Sequence, residues 1–291
     1  MTLIERLAAS GPVLTDGAWG SLLQGRGLGA EECPDAWNLS HPEKVEEVAR
    51  AYVEAGSQVI LTNTFRANRL ALVRYGLADR TAEVNRAGVA ISLAAAHGRA
   101  HVIASMGPSG KLLVTGETTE EELHAVFLEQ AKLLAEAGAE AIVFETMADL
   151  AEAKVGLSAA RQTGLPVVVS MVFGSGRNKD RTMMGVTPEQ AAQELTGAGA
   201  DAVGANCGVG IEDYLPICRR LRAATHLPVW MKPNAGQPAL VEGRTVWRTT
   251  PEEFARQVPA LLEAGAAFVG GCCGTTPEYI RSVAAALAAT A

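Results

Sequence analysis

The phrase Glu263-Ala-Gly-Ala-Ala-Phe-Val-Gly-Gly-Cys272 decides the fold, because three further versions of it occur along the chain. Each version combines the end of a helix, a glycine that stops the helix, and a short apolar run that is typical of a buried strand. Such apolar runs are characteristic of parallel sheets that helices cover. The other versions are Glu54-Ala-Gly-Ser-Gln-Val-Ile-Leu-Thr-Asn63, Glu136-Ala-Gly-Ala-Glu-Ala-Ile-Val-Phe-Glu145 and Gly197-Ala-Gly-Ala-Asp-Ala-Val-Gly-Ala-Asn206.

Four more apolar runs complete a set of eight predicted strands, at residues 13–16, 102–106, 166–172 and 228–232. Helical periodicity occupies the segments between the strands, and two helices are predicted to begin at the capping boxes of Thr187 and Thr250. Eight strands that alternate with helices predict an α/β fold, a (β/α)₈ TIM barrel, with residues 1–291 as a single domain. A doubly wound open sheet is the alternative.

The composition favours a protein that acts on small molecules. The chain has 291 residues, 48% of them hydrophobic, and can therefore bury a large core. Its 25 basic and 32 acidic residues give a formal charge of -7, and no basic cluster is interleaved with aromatics, so no nucleic-acid partner is expected. No stretch approaches the ~18 apolar residues of a membrane span, which predicts no membrane association and a cytoplasmic location.

Three thiols follow predicted strands and indicate a metal site. Cys272 and Cys273 end the last strand, and Cys207 ends another strand in the same way. Catalytic groups in TIM barrels come from the C-terminal ends of the strands, so these sulfurs are expected to converge. Buried apolar cysteines or a vicinal disulfide are the alternatives. Of the other cysteines, Cys218 is predicted to be a core residue and Cys33 a loop thiol.

Other polar side chains end strands as well. They include the carboxylates of Asp16 and Glu145, the ammonium of Lys232, and the amides of Asn63 and Asn206, of which the two amides are expected to brace loops. None of the five histidines ends a predicted strand, which disfavours a Ser-His-Asp triad and a histidine-rich metal site. The chain has no phosphate-binding P-loop motif either.

Six motifs of the chain are Asp16-Gly-Ala-Trp-Gly20, Asn63-Thr-Phe65, Phe144-Glu-Thr146, Asn206-Cys-Gly208, Lys232-Pro-Asn-Ala-Gly236 and Gly270-Gly-Cys-Cys-Gly-Thr-Thr-Pro277. Together they resemble those of the homocysteine S-methyltransferases. The resemblance implies a zinc-dependent TIM barrel that moves a methyl group onto the thiol of homocysteine. It also implies that Cys207, Cys272 and Cys273 are the zinc ligands and catalytic residues, and that Asp16 and Glu145 hold the substrate amine.

Further residues are predicted to contact the substrate or the metal, or to affect which substrate is accepted. Backbone N–H groups around Gly17 and Ala18 could bind the substrate carboxylate. Asn234 could lend its amide oxygen to zinc when substrate is absent. The family usually has Met and Thr where Trp19 and Ser21 stand, so these two residues are expected to change which donor or thiol is accepted.

The identity of the methyl donor stays open at this point. Residues 232–247 are most similar to the homocysteine-binding module of cobalamin-dependent methionine synthase, which implies a methyl-corrinoid carried by a separate protein. Betaine and S-methylmethionine are alternative donors, because enzymes that use them share the motifs. Two hypotheses from other classes are a Schiff-base lyase that uses Lys232 and a non-catalytic module that binds zinc or a thiol.

Overall fold

Eight parallel strands form the centre of the computed structural model, which describes residues 1–241 and 244–289. The strands of the described residues are β1 (Val13–Leu14), β2 (Val59–Leu61), β3 (His101–Met106), β4 (Ala141–Met147), β5 (Val167–Met171), β6 (Ala202–Gly210), β7 (Val229–Asn234), β8 (Pro238–Val241), β9 (Arg244–Trp247) and β10 (Ala266–Val269). The eight parallel strands follow the order β1-β10-β7-β6-β5-β4-β3-β2, while β8 and β9 form a separate antiparallel hairpin.

The two end strands of this order, β1 and β2, are joined by single hydrogen bonds rather than by a regular ladder. The N–H of Gln58 donates to the carbonyl of Leu14 at 2.8 Å, and the N–H of Leu61 donates to the carboxylate of Asp16 at 2.8 Å. The sheet is therefore a nearly closed barrel surrounded by helices. The predicted TIM barrel is confirmed, and the open doubly wound sheet is wrong.

Helices alternate with the strands of the barrel as the sequence predicts. Thr187 and Thr250 each accept a hydrogen bond from the backbone three residues later, and both capping boxes are complete. The helices are α1 (Leu3–Ala9), α2 (Trp19–Gly25), α3 (Trp37–Ser40), α4 (Pro42–Glu54), α5 (Arg69–Val73), α6 (Thr81–Ala96), α7 (Glu120–Glu136), α8 (Leu150–Arg161), α9 (Pro188–Gly197), α10 (Tyr214–Ala224), α11 (Pro251–Glu263) and α12 (Pro277–Ala288). Within the described ranges, none of them has the length and apolar character that crossing a membrane requires.

Two features of the strands differ from the prediction. Strand β1 ends at Leu14 rather than at Asp16, because the Asp16 carbonyl accepts from the N–H of Gly271 in the loop after β10. The hairpin of β8 and β9 is an insertion between β7 and α11 that the apolar pattern does not reveal. The single-domain prediction remains a prediction, and residues 242–243 and 290–291 of its range lie outside the described residues.

The interior of the barrel is apolar at its N-terminal end. Leu3 and Ile4 of α1 are buried there against the inward side chains of the strands, and the rings of Trp230 and Phe268 lie 5.0 Å apart. A second, larger core fills the space between the strands and the outer helices. Because apolar groups occupy the N-terminal half, the polar strand-end residues meet at the C-terminal half.

Candidate metal and substrate site

The three predicted thiols converge at the C-terminal end of the barrel. Cys207 lies in an irregular stretch of β6. The last strand ends at Val269 rather than at the cysteines, so Cys272 and Cys273 follow β10 after two glycines. All three sulfurs lie within 4.8 Å of one another, and those of Cys207 and Cys273 are 3.7 Å apart. Within residues 1–241 and 244–289, this is the only group of three or more Cys, His, Asp or Glu side chains that is close enough to hold a metal.

Backbone hydrogen bonds fix the loop that carries Cys272 and Cys273. The N–H of Cys272 donates to the carbonyl of Pro233 at 2.8 Å, and the N–H of Ala235 donates to the carbonyl of Cys273 at 3.0 Å. A side chain at Gly270 would overlap the hydroxyl of Thr15, so the loop can approach β1 only with glycine at this position. The two thiols are thus held between β1 and the end of β7.

Cys207 has a backbone conformation that is rare for a residue with a side chain. Its φ is 59°, in the left-handed region, and the hydroxyl of Tyr214 donates to its carbonyl at 2.7 Å. Non-glycine residues with positive φ are strained and cluster at functional sites. The tyrosine therefore stabilises the conformation that aims the Cys207 thiol at the other two.

The cluster stabilises a negative charge on sulfur. Hydrogen bonds from Cys272 and Cys273 lower the pKa of Cys207 to about 3, and a hydrogen bond from Asn234 contributes in the same direction. The interaction with Cys207 raises the pKa of Cys273 to about 12, because a second charge nearby is unfavourable. A cation at the centre would relieve that repulsion.

The donor set fits a catalytic zinc ion. Tetrahedral zinc with Zn–S bonds of about 2.3 Å places its thiolate ligands about 3.8 Å apart, close to the separation of Cys207 and Cys273. The amide oxygen of Asn234 is buried beside them and has no hydrogen-bond partner among the described residues. Three thiolates and one adjacent unpaired oxygen leave the fourth position exchangeable, as in catalytic rather than structural sites.

Charged side chains lie at the same end of the barrel. Asp16 is fully buried and forms an ion pair with the buried Lys232, while its second oxygen accepts from the N–H of Leu61. Glu145 is half-buried and accepts from the hydroxyl of Ser105 at 2.6 Å. Burial raises the pKa of Glu145 even though Lys232 lowers it. Lys232 is thus paired with Asp16 and lies near enough to Glu145 to affect its pKa.

The predicted carboxylate-binding segment is held close to the thiol loop. The N–H of Ala18 donates to the carbonyl of Thr275 at 3.2 Å, and the hydroxyl of Tyr52 donates to the carbonyl of Ala18 at 2.8 Å. A side chain at Gly17 would press against Thr275 and Tyr52. Tyr52 therefore positions both the segment of Gly17 and Ala18 and the thiol loop. It lies on the apolar face of α4, so the sequence pattern indicates only a core residue.

Comparison with known proteins decides the family. A family model described as homocysteine S-methyltransferase matches residues 13–287. The chain belongs to the homocysteine S-methyltransferase family. The predicted family and enzyme class are confirmed.

Curated relatives of this methyltransferase are longer proteins. The methionine synthases of Mycobacterium leprae (strain TN) and Mycobacterium tuberculosis (strain ATCC 25618 / H37Rv) are each 32% identical to it, over 305 and 292 residues. These matches cover 98% and 94% of the chain but 25% and 24% of the relatives. The chain therefore spans about a quarter of the length of the curated relatives that it matches.

A solved structure shares the fold. The metallated form of the homocysteine methyltransferase MmuM from Escherichia coli is 23% identical, with a TM-score of 0.81, and the match covers 97% of this chain and 99% of that one. This likeness supports the barrel architecture of the methyltransferase.

The two residues that are expected to change the choice of donor or thiol lie at the candidate site. Trp19 is half-buried, and its indole N–H donates to the Asp16 carboxylate at 2.8 Å. The N–H of Gly274, next to Cys273, donates to the Ser21 hydroxyl at 3.5 Å. Both side chains thus help to place groups of the candidate site.

The hairpin of β8 and β9 also reaches the site. The Trp247 ring lies where a side chain on Gly274 would be, and the φ of Gly274 is 82°. The sequence motif Lys232-Pro-Asn-Ala-Gly236 leads directly into this hairpin, but nothing in the apolar pattern indicates that it folds back over the thiols.

The remaining cysteines occupy positions consistent with structural roles. Cys218 is fully buried in α10, and burial raises the pKa of its thiol to about 12. Cys33 lies in the loop between α2 and α3 and is also buried. Asn63 donates to the carbonyl of Pro34 and to the Asn38 side chain, and so links the loops that follow β1 and β2.

Proposed function

We propose that the chain binds one zinc ion through Cys207, Cys272 and Cys273 and transfers a methyl group to the thiol of homocysteine to give methionine. The observation that carries this proposal is the cluster of three thiols within 4.8 Å of one another in a barrel of this family. Zinc, when bound there, would keep a coordinated substrate thiol in its nucleophilic thiolate form at neutral pH. The protein residues have to supply the rest of the site.

The charged residues suit the amino group of the substrate. Asp16 and Glu145 provide two carboxylates, whereas Lys232 provides one ammonium, so the pocket has room for one additional positive charge. An amino-acid thiol brings that charge. We assign the substrate ammonium to Glu145 and Asp16, with Lys232 paired to Asp16 in the absence of substrate. The segment of Gly17 and Ala18 is assigned to the carboxylate, and the Asn234 amide oxygen to the metal when no thiol is bound.

A methyl donor carried by a partner protein fits the surface around the site. Among the described residues, nine large apolar side chains are exposed, and seven of them lie in the connections that follow barrel strands. These connections surround the C-terminal end of the barrel, and exposed apolar groups commonly mark protein contacts. The seven are Val73, Leu112, Val114, Met183, Met184, Leu240 and Val246. A methyl-corrinoid protein is therefore the proposed donor, whereas betaine or S-methylmethionine would need no such surface.

The alternatives from other classes are less compatible with the contacts. A Schiff-base lyase needs a neutral amine at Lys232, but although burial favours that form, the charges of Asp16 and Glu145 raise the pKa of Lys232 above its ordinary value. Borohydride should therefore trap no carbonyl compound on Lys232. A module that only binds zinc or a thiol would show no methyl transfer with any donor.

Calorimetry tests the proposed thiol binding. Homocysteine should bind to the zinc-loaded protein near pH 7 and release about one proton per site, because the free thiol is mostly protonated. The apparent heat should then vary linearly with the ionisation enthalpy of the buffer, whereas methionine should give no such slope. Binding of homocysteine without proton release would contradict a zinc thiolate.

A donor screen tests the methyl transfer itself. Free methylcobalamin, a methylated corrinoid protein, betaine and S-methylmethionine are compared with homocysteine as acceptor. The corrinoid protein should be the best donor, and Leu240→Glu should slow transfer from it while leaving any slow transfer from free methylcobalamin unchanged. Leu93→Glu, on the outer helix α6, is the matched control. Faster transfer from betaine or S-methylmethionine would reassign the donor.

A further inference from the structure

The side chain of Asn206 bonds to three other segments at the C-terminal end of the barrel. Its amide oxygen accepts from the N–H of Thr146 in β4 and from the hydroxyl of Ser170 in β5, each at 2.7 Å. Its amide nitrogen donates to the Thr146 hydroxyl at 2.7 Å and lies 3.7 Å from the Cys272 sulfur. An asparagine amide has two acceptor positions and two N–H donors, so all four are used.

The backbone fixes which way this amide points. The N–H of Thr146 can only donate, so the atom of Asn206 that faces it at 2.7 Å must be the oxygen. The nitrogen then has to face the Thr146 hydroxyl and the Cys272 sulfur. An N–H group is therefore directed at a predicted zinc ligand.

Thr146 needs such support. Its φ is 61°, a conformation that is unfavourable for a β-branched residue, and the pairing of β4 with β5 is irregular between Phe144 and Met147. The irregular stretch includes Glu145, the carboxylate assigned to the substrate ammonium. If Thr146 relaxed to a negative φ, the Glu145 side chain would lose its present direction toward Ser105.

We propose that Asn206 is a positioning residue that serves both halves of the site. Its bonds to Thr146 hold the strained backbone that places Glu145, and its remaining N–H donates to the Cys272 thiolate. This inference rests on the proposed binding of zinc and homocysteine. With three thiolates around one divalent ion, the centre carries excess negative charge, and an N–H donor withdraws part of that charge from Cys272. Metal and ammonium binding are thus supported by one amide.

The first test separates the amino group from the thiol. Zinc-loaded Asn206→Leu, which has a similar size and no hydrogen bonds, is titrated with homocysteine and with 3-mercaptopropionate, a thiol that lacks the amine. The preference for homocysteine should fall about tenfold, the expected consequence of losing the bonds that hold Thr146. Asn85→Leu is the matched control, because Asn85 is an equally buried amide in α6 that bonds to Ala67 and Thr81. It should leave the preference unchanged.

Thr146→Gly should rescue this defect. Glycine adopts a φ of 61° without strain, so in that background the loss caused by Asn206→Leu should shrink to less than about threefold. A general loss of stability would not be rescued in this way. An unchanged preference in Asn206→Leu, or an equal loss in both backgrounds, would overturn the positioning role.

The second test examines the metal centre by spectroscopy. In cobalt-substituted protein, loss of the N–H donor should raise the energy of the sulfur electrons, so the sulfur-to-cobalt charge-transfer band of Asn206→Leu should move to longer wavelength. Ser170→Ala, which removes a bond from the amide oxygen only, should keep the band in place. An unmoved band in Asn206→Leu would show that the amide does not act on Cys272.

Asn206→Asp provides a variant of the same shape should Asn206→Leu fail to fold. The carboxylate can still accept from the Thr146 N–H, so the preference for homocysteine should be retained. It cannot donate to Cys272 and adds a negative charge, so zinc should bind more weakly. Retained zinc affinity would overturn the proposed donation. If the wild-type chain bound neither zinc nor homocysteine, the proposed function would fail instead, independently of any Asn206 variant.

Discussion

The two ends of the barrel use the same strands in opposite ways. At the N-terminal end, Ile4 of α1 covers the apolar side chains of Trp230 and Phe268. At the C-terminal end, Lys232 and Asp16 form a buried ion pair beside the thiols. Trp230 and Lys232 are two residues apart and share one face of β7. The barrel interior therefore changes from apolar to polar within two residues along a strand.

The same step occurs on neighbouring strands. The side chains inside a barrel are stacked in layers, and positions two residues apart on one strand contribute to successive layers. On three further strands an apolar inward residue is followed two residues later by a polar one. The pairs are Ile103 and Ser105, Val143 and Glu145, and Val168 and Ser170. Burial of the first layer stabilises the fold, whereas burial of polar and charged groups in the second layer costs free energy unless they are paired. Mutations at the N-terminal end should therefore change mainly the stability of the fold, and mutations at the C-terminal end mainly the binding of zinc and homocysteine.

The largest expected effect is on the metal. Replacing Cys207, Cys272 or Cys273 by Ser should weaken zinc binding by more than about 100-fold, since even residues outside the ligand set typically cost 10–100-fold. Metal content after dialysis against a chelator, and competition titration, measure this loss. Cys218→Ser, in the core of α10, is the control and should keep full occupancy. Retention of zinc by all three variants would contradict the site.

The opposite end of the barrel should show the reverse behaviour. Ile4→Ala removes a fully buried side chain of α1 from the N-terminal end of the barrel and should lower the free energy of unfolding by about 2–5 kcal/mol. Zinc content and homocysteine affinity of the folded fraction should not change. Denaturant titration of the metal-free protein measures the loss, with the exposed Val114→Ala as control, expected within about 0.5 kcal/mol. A loss of homocysteine affinity in Ile4→Ala would mean that the two ends are coupled.

Sequence reasoning predicted the polar end well because its residues follow recognisable strands. The thiols, Asp16 and Glu145 all come directly after apolar runs, and the barrel brings such positions together. It did not predict the ion pair of Asp16 with Lys232. These residues follow or end β1 and β7, which are far apart in the sequence and are brought to the same pocket only by the order of the strands in the barrel. Nor did it predict the positive φ of Thr146 and Cys207, since neither residue type favours that conformation. Contacts that depend on long-range packing leave no local pattern.

Asp35 tests the cost of burying a charge at the polar end. This carboxylate, in the loop after α2, is almost completely buried and accepts from the N–H of Arg66, and burial raises its pKa to about 6. In the unfolded chain the pKa is near 3.9. Between these values the folded protein binds the proton that the unfolded chain has lost. The stabilisation from this group is thus complete below about pH 4 and is lost as the pH rises through about 6, by about 3 kcal/mol.

Asp35→Asn should therefore stabilise the protein relative to wild type more at pH 7 than at pH 4, by up to about 3 kcal/mol. The amide oxygen can still accept from Arg66, and other groups that titrate in this range are common to both proteins and cancel. Urea titrations of both proteins at the two pH values measure the difference. A stability difference that does not change with pH would show that the pKa of Asp35 is not raised in the folded protein.

The smallest expected effect is the most selective one. Glu145→Gln should leave the fold and the zinc in place, because glutamine can still accept from the hydroxyl of Ser105 and does not contact the metal ligands. It cannot pair with an ammonium, so homocysteine affinity should fall by about 1.5–3 kcal/mol, roughly 10- to 150-fold. The thiol 3-mercaptopropionate, which has no amino group, should bind with nearly unchanged affinity.

Calorimetry with both thiols on zinc-loaded protein measures this difference. Ser105→Ala removes only the hydroxyl that donates to Glu145, so it should cause a smaller loss of homocysteine affinity. Equal losses for the two thiols would make Glu145 a structural residue, and the polar end of the barrel would then owe its specificity for an amino-acid thiol to Asp16 and Lys232.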